Sequence, residues 1–432
     1  MQQTVNKVYA PLFQSTKGIR YAFLMGGRGG GRSTVASQYA LSKLTSDGYF
    51  RCAIMRYILG DIRNSIFQEI LDRAEESGQL GSLKINEGFM DIEYGRNSIN
   101  AVGFKKSSGD QKAKLKSLAS YNTVIIEEAE EISEEDFTQL DDSLRTMKGD
   151  ILIIFLLNPP AKTHWIIKRF FNLEEIEEVE GFYKPVLKPE ITDALFIWSS
   201  YKDNIANIAQ ASINNYENYK NTKPTHYYNM IKGFVPETVV GKIYNNWQEI
   251  ETIPHEAVLI GTGLDFGYTV DPTAIVNTYR YNGGLIFDEI AYSTGMKNKA
   301  IATVLSNRPE NVPVGADSAE PKSIDEIKDE DSSLVFVPVV KGKDSVKYGI
   351  GKVQSQKISY TKRSKNIKAE YENYAWFIDK DGVIHNIPKP KQKDHAMDAI
   401  RYIVNILEPD EDLDDEYRDR AESRQRSNVS TH

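Results

Sequence analysis

Gly26-Gly27-Arg28-Gly29-Gly30-Gly31-Arg32-Ser33-Thr34 is the stretch whose reading decides the fold. The apolar run Tyr21 to Met25 before it reads as a strand, and Val35 to Leu44 after it reads as a helix. Strand, glycine loop, helix is the setting that a phosphate-binding loop requires. Glycines let the backbone curl until several N–H groups point at one anion, and the helix N-terminus adds partial positive charge. Against the pattern G-x-x-x-x-G-K-[ST], Gly26, Gly31 and Ser33 fit, while Arg32 stands where lysine is expected. The plainer alternative is a glycine-rich turn between two elements.

Downstream, Arg51 to Arg56 reads as a strand, and Asp61 to Glu76 carries apolar residues at helical spacing. Short strands are expected at Phe89 to Tyr94 and Ser98 to Phe104, and an exposed basic loop at Lys105 to Lys116. Thr123-Val124-Ile125-Ile126 is a run of strand formers ending in Glu127-Glu128, the look of a Walker B strand. Glu127 would hold Mg²⁺, directly or through water, and Glu128 would orient and deprotonate the attacking water. The alternative is a buried strand that meets solvent at Glu127. Ser133 to Asp136 reads as a capping box opening a helix through Leu144. Ile151 to Leu157 is a further buried strand ending at Asn158, a polar residue placed to sense a γ-phosphate. Alternating strands and helices predict a mostly parallel sheet covered on both faces.

Gly233 to Glu256 has little periodicity and reads as a junction. Beyond it, Ala257 to Asp265 is a strand. Thr273 to Tyr281 and Leu285 to Tyr292 flank Asn282-Gly283-Gly284, a strong hairpin signal. Val312 to Ala316 is a strand ending at Asp317, and Asp394 to Leu407 is a final helix with Asp394, His395 and Asp398 on one side. An acid on an early strand, another at a later strand tip and more on a last helix suit a ribonuclease H-like nuclease. Phosphodiester cleavage with two metals needs clustered carboxylates, and oxygen ligands suit Mg²⁺ or Mn²⁺. Asp394 reads more simply as a helix N-cap and His395 as a surface histidine.

A chain of 432 residues suggests two or three domains, and its longest apolar run is too short to cross a bilayer. No signal segment opens it, and Cys52 is the sole cysteine, which excludes an intrachain disulfide and a cysteine zinc site. The expectation is an intracellular enzyme or binding protein. Net charge is −8, but Lys341 to Lys368 carries nine cations against Asp344 alone, a stripe suited to DNA or to solvated helix faces. The residues from Pro409 to His432 are charged, poor in apolar side chains and expected to be disordered.

With these residues in view, the chain resembles the large terminase subunit of tailed bacteriophages. The likeness runs through Gly26 to Thr34, Gly109-Asp110-Gln111-Lys112 to Ser117, Leu264 to Tyr268 with Asp271-Pro272, Ala316 to Pro321 with Ser323-Ile324-Asp325, and Asp394-His395 to Tyr402. It implies an α/β protein: a P-loop ATPase domain over residues 1–235 with a mostly parallel sheet, a linker over 236–256, a ribonuclease H-like nuclease domain over 257–408 and the tail. It implies ATP and Mg²⁺ for the motor and Mg²⁺ or Mn²⁺ for the nuclease. By position, Gly26, Gly27, Gly29, Gly30, Gly31, Arg32, Ser33 and Thr34 would cradle nucleotide, with Ser33 and Glu127 on Mg²⁺ and Glu128 the catalytic acid. Arg28 would act on the transferring phosphate, and Asn158 would couple hydrolysis to movement. Asp265, Asp317 and Asp398 would hold the nuclease metals, with His395 assisting. Implied partners are double-stranded DNA, a small terminase subunit and the portal of a procapsid. The likeness implies an oligomer when docked, leaves a free monomer open, and places the protein in the host cytoplasm without a membrane, absent from the mature virion. Two competitors are a recombinase or nuclease whose nucleotide-binding scaffold does not hydrolyse, and a non-enzymatic DNA-binding assembly protein.

Overall fold

The computed structural model describes residues 5–14, 16–105, 117–267, 271–339, 345–379, 381–390 and 392–408. The basic loop from 106 to 116, Tyr268, Lys341, Lys343, Asp344 and the tail from 409 lie outside them. The chain forms two compact units, Met1–Val240 and Gly241–His432.

In the first unit the strands are β1 (Tyr21–Gly26), β2 (Arg51–Ile58), β3 (Lys84–Asn86), β4 (Asp91–Tyr94), β5 (Asn97–Lys105), β6 (Thr123–Glu127), β7 (Leu152–Leu157), β8 (Phe171–Glu175), β9 (Phe182–Leu187), β10 (Ala194–Ser199) and β11 (Val235–Pro236). Eight make one sheet in the order β10-β1-β7-β6-β2-β5-β4-β3. Pairing is parallel from β10 to β5 and antiparallel at the β5-β4-β3 edge. The central strands are apolar on both faces because both faces are covered. Ala22 and Leu24 of β1 pack with Val35, Ala36 and Tyr39 of the helix Arg32–Ser46, while Phe23 and Met25 join Phe137, Phe155 and Phe170 opposite. Strands β8, β9 and β11 form a small separate sheet.

The span Asp61 to Glu76 is not one helix. It divides into a 3-10 turn, Leu59–Ile62, a π turn, Arg63–Phe67, and an α-helix, Gln68–Glu76. Ser65 has non-helical dihedrals, and its hydroxyl donates back to the Asp61 carbonyl, competing with the helical ladder.

The second unit holds β12 (Gln248–Ile250), β13 (Val258–Asp265), β14 (Thr273–Tyr281), β15 (Gly284–Ser293), β16 (Val314–Asp317), β17 (Phe336–Val339) and β18 (Ile358–Thr361), ordered β12-β18-β15-β14-β13-β16-β17. Strands β13, β14 and β15 are antiparallel, and β16, β17 and β18 join in parallel. The two-residue turn Asn282-Gly283 has positive φ at both positions, as a type I′ hairpin needs. The stretch read as a junction supplies β12, which pairs with β18, and buries Ile243 and Tyr244 in this unit's core.

The final helix, His395–Leu407, lies on this sheet through Ala396, Met397, Ala399, Ile400, Ile403 and Val404. It comes unusually close. A Cβ on Gly263 of β13 would stand 1.9 Å from the Ala399 carbonyl oxygen, and one on Gly315 of β16 would stand 3.0 Å from the Ile403 Cα. Glycines inside strands therefore make the seat on which the helix rests. Gly263→Ala should destabilise the second unit by about 1–3 kcal/mol or more, since backbone must shift. Gly351→Ala, in the helix Ser345–Gln354 with open space at its Cβ, should stabilise by about 0.4–1 kcal/mol. Thermal unfolding of both variants, followed by circular dichroism, checks the opposite signs.

Candidate active sites

In the first unit the glycine loop leaves the C-terminal end of β1 and enters the helix Arg32–Ser46 at Gly31, whose φ of 81° no ordinary side chain adopts easily. The loop is pinned from several sides. The Gly27 amide donates to the Ser199 carbonyl at 2.8 Å and the Arg28 amide to the Met230 carbonyl at 2.7 Å. A Cβ on Gly27 would meet the Ile231 carbonyl oxygen at 1.8 Å, so only glycine fits there. The Tyr9 hydroxyl bonds the Gly30 carbonyl and Ser199, and Asn204 donates to the Gly29 carbonyl. With the Gly27 and Arg28 amides committed to the protein, the amides left for an anion begin at Gly29.

Arg32 has definite partners within the protein. Its guanidinium donates to the Gly27 carbonyl and to Asn158 Oδ1, each at 2.8 Å. Burial pushes its pKa down from the usual arginine value. Asn158, at the end of β7, in turn donates through Nδ2 to Glu130 Oε1 at 3.0 Å. A chain of polar contacts thus runs from the loop to the segment following β6. Ser33, second in the loop helix, has its hydroxyl 3.5 Å from Glu127 Oε1, so the loop and the β6 terminus meet. Thr34 follows on the same helix.

Sequence reasoning missed Arg56, on β2 beside β6. Its guanidinium pairs with Glu128 and approaches Glu127 to 3.8 Å, half-buried beside both acids. Burial raises the Glu127 pKa, and the Arg56 charge works against that rise. Glu128 has φ 51°, a left-handed conformation costly for a side chain that is not glycine and one often held at functional sites. The available signal was an arginine near the end of a predicted strand, too common to single out.

In the second unit β13 and β16 are parallel neighbours with Leu264 opposite Ala316, so Asp265 and Asp317 follow side by side at the same sheet end. The final helix brings Asp398 and His395 to them. His395 Nδ1 bonds Asp265 Oδ2 at 2.9 Å, and its Nε2 lies 3.8 Å from Asp271. Burial alone would depress His395, but the hydrogen bond to Asp265 and that residue's charge outweigh it and raise the pKa. Burial, with Asp398 nearby, pushes Asp265 up to about 6, and burial with Asp398 and Glu370 pushes Asp394 up to about 7. Asp398 pairs with Arg401 at 2.8 Å, and Asp317 accepts from the Ala319 amide at 2.9 Å. Among the described residues no group of three or more His, Cys, Asp or Glu side chains stands ready to hold a metal ion. The donor set is nevertheless oxygen-rich, the chemistry that suits a hard divalent ion.

Asp394 occupies the N-cap position of the final helix, yet its side chain makes no capping bond. Glu370, buried and unnoticed in the sequence, accepts from the Ala396 and Met397 amides instead. The basic stretch is also less open to an anion than its composition suggests. Lys362 pairs with Glu251, Lys368 with Glu249 and Arg363 with the fully buried Asp288, so acids distant in sequence meet three of its cations.

A phosphate-type loop with a facing acidic strand tip in one unit, and a ribonuclease H-like sheet with acids at its strand ends in the other, define a nucleotide-binding protein that is also a nuclease. The family model for the phage terminase large subunit matches residues 19–234, and the terminase RNase H-like domain matches residues 265–405. The chain belongs to the phage terminase large subunit family. It is 26% identical over 404 residues to the terminase large subunit of Bacillus phage SPP1, covering 88% of this chain and 89% of that one. It is 24% identical over 412 residues to the PBSX phage terminase large subunit of Bacillus subtilis strain 168, covering 90% of each. Among solved structures, the Mn-bound nuclease domain of the bacteriophage SPP1 large terminase is 30% identical, covering 37% of this chain and 95% of that one at a TM-score of 0.33. The HK97 bacteriophage large terminase is 10% identical, covering 94% and 95% at a TM-score of 0.46. No helix among the described residues is long and apolar enough to cross a membrane.

Removing Arg56 would leave Glu127 partly buried without its cation. Arg56→Ala should destabilise the first unit by about 1–3 kcal/mol, and adding Glu127→Gln should recover part of that loss. Urea denaturation of the single and double variants measures both steps.

Proposed function

We propose that this chain couples ATP hydrolysis to movement of double-stranded DNA into a procapsid and cuts concatemeric DNA with a metal-dependent nuclease. The observation that carries the reading is the meeting of Ser33 with Glu127 at 3.5 Å, at the mouth of a glycine loop followed by a helix N-terminus. The motor domain of the proposal spans 1–235 and the nuclease domain 257–408, with 236–256 between them in sequence and, from Gly241 on, packed with the second unit. In the first, amides from Gly29 onward and the helix dipole bind phosphate, with Gly26, Gly27, Gly30 and Gly31 shaping the loop and Thr34 beside it. Arg32 supplies a fixed charge, and Arg28 acts on the transferring group. Ser33 and Glu127 would hold Mg²⁺, which would neutralise phosphate charge when bound. Glu128 takes the proton of the attacking water, and Asn158 links the loop to the segment after β6.

In the second domain Asp265, Asp317 and Asp398 would hold Mg²⁺ or Mn²⁺, which would activate water and stabilise the leaving oxygen. His395 orients Asp265 through its Nδ1 bond. The partners proposed from the family are DNA, a small terminase subunit and the procapsid portal, in the host cytoplasm, with an oligomer formed on docking.

The two activities should separate. Glu128→Gln should lose ATP turnover by about 10²-fold or more while still binding nucleotide. Asp265→Ala or Asp317→Ala should abolish plasmid cleavage in Mn²⁺ and leave ATP hydrolysis intact. Steady-state phosphate release and gel assays of plasmid nicking decide this, and cleavage at the parent rate in either aspartate variant would remove the metal assignment.

A further inference from the structure

An aspartate at an N-cap position ordinarily accepts a hydrogen bond from the second or third amide of its helix. Asp394 does not, although it sits at that position on the final helix. The open amides are met by Glu370 from the helix Lys365–Asn373. Its Oε2 accepts from Ala396 N at 2.7 Å and Met397 N at 3.1 Å, and its Oε1 accepts from the Tyr292 hydroxyl on β15 at 2.6 Å. Glu370 is only 3% exposed; burial pushes its pKa up to about 7, and three donors and a helix N-terminus work against that rise. Side chains from two other elements, Glu370 and the Tyr292 that holds it, thus perform a task that the adjacent aspartate could perform alone. The consequence is local. The Asp394 carboxyl is left off its own helix amides, one turn before Asp398 and next to His395, whose Nδ1 bonds Asp265.

We propose that Glu370 is a positioning residue of the nuclease site: it caps the final helix in place of Asp394 and so keeps the Asp394 carboxyl available, beside Asp265 and Asp398, to a divalent cation. The inference rests on the nuclease reading above. Without Glu370, Asp394 is the nearest acceptor for the open amides, so it should rotate into the cap and leave the acids it now faces.

The test uses the full chain, with Mn²⁺ as the probe. Isothermal titration gives Mn²⁺ affinity, thermal unfolding gives stability, and plasmid cleavage gives kcat and KM. Glu370→Ala should weaken Mn²⁺ binding and lower kcat by about 10–100-fold, as loss of a partner behind a metal ligand does, with KM for DNA little changed. Glu370→Gln keeps an acceptor oxygen for the helix amides and should retain most of both. Asp394→Asn should weaken Mn²⁺ binding comparably with an unchanged unfolding temperature. The Glu370→Ala/Asp394→Ala double variant should be less stable than the two single losses predict, because the aspartate substitutes as cap only while it is present. Parent-like Mn²⁺ binding by Asp394→Asn overturns the proposal, even if Glu370→Ala fails to fold; so do parent-like behaviour of a folded Glu370→Ala and additive stabilities. Should the parent protein bind Mn²⁺ but not cut DNA, the nuclease reading fails, while the titrations and the stability cycle still judge Glu370.

Discussion

Taking an ionised carboxylate out of water is costly unless cations or donors replace its hydration, and that cost fixes where the candidate acids of both units stand. The middles of β6 and β16 are buried and apolar, and that of β13 is buried with Thr262 as its one polar side chain, hydrogen-bonded to Asn277. Acids on these strands therefore appear only at the ends, where Glu127, Asp265 and Asp317 reach partly open ground. The exceptions obey the same rule. Asp288 lies fully buried within β15, but Thr361 and Arg363 both donate to it. Glu370 is buried against three donors. Once acids are confined to strand ends, parallel pairing sets them side by side, and the elements entering from outside the sheet decide which of them meet.

For the nuclease unit the entering element is the final helix, and its depth is set by the absence of side chains on Gly263 and Gly315. A bulkier residue at either strand position would lift the helix and carry His395 and Asp398 with it, parting the 2.9 Å contact between His395 and Asp265. The motor unit achieves a similar fixation differently. Its loop is bound by carbonyls of Ser199 and Met230 and by the Tyr9 hydroxyl, from segments outside the loop itself.

Much of this was legible in the sequence wherever the signal is local. The strand and helix around the glycine loop, the Ile-rich run into Glu127, the Asn282-Gly283 turn and the final helix follow from periodicity and turn chemistry within a few residues. The helix expected over Asp61 to Glu76 failed because Ser65 offers its own hydroxyl to the backbone, an effect that apolar spacing does not record. Arg56 and Glu370 were invisible for another reason. Each acts through a partner more than twenty residues away, and neither lies in a distinctive pattern. The basic stretch misled in the same manner: counting charges between Lys341 and Lys368 omits Glu249, Glu251 and Asp288, which folding delivers to three of them. Asp394 was read by its position in the chain, and position alone could not tell that another residue already held the helix amides.

The Arg32 contacts make the loop self-liganded. A guanidinium bonded to Gly27 and Asn158 is an internal competitor for whatever approaches the loop, present at fixed stoichiometry and undiluted by solvent volume. If binding requires those contacts to open, apparent affinity equals intrinsic affinity scaled by the fraction of molecules already open, so each 1.4 kcal/mol of closure costs about a factor of ten. Such a threshold discriminates by charge. A polyphosphate can replace both lost contacts with several of its own, whereas a single inorganic anion replaces fewer and is turned away. Were those contacts to close the loop, the arginine that departs from the expected lysine would select which anions reach it.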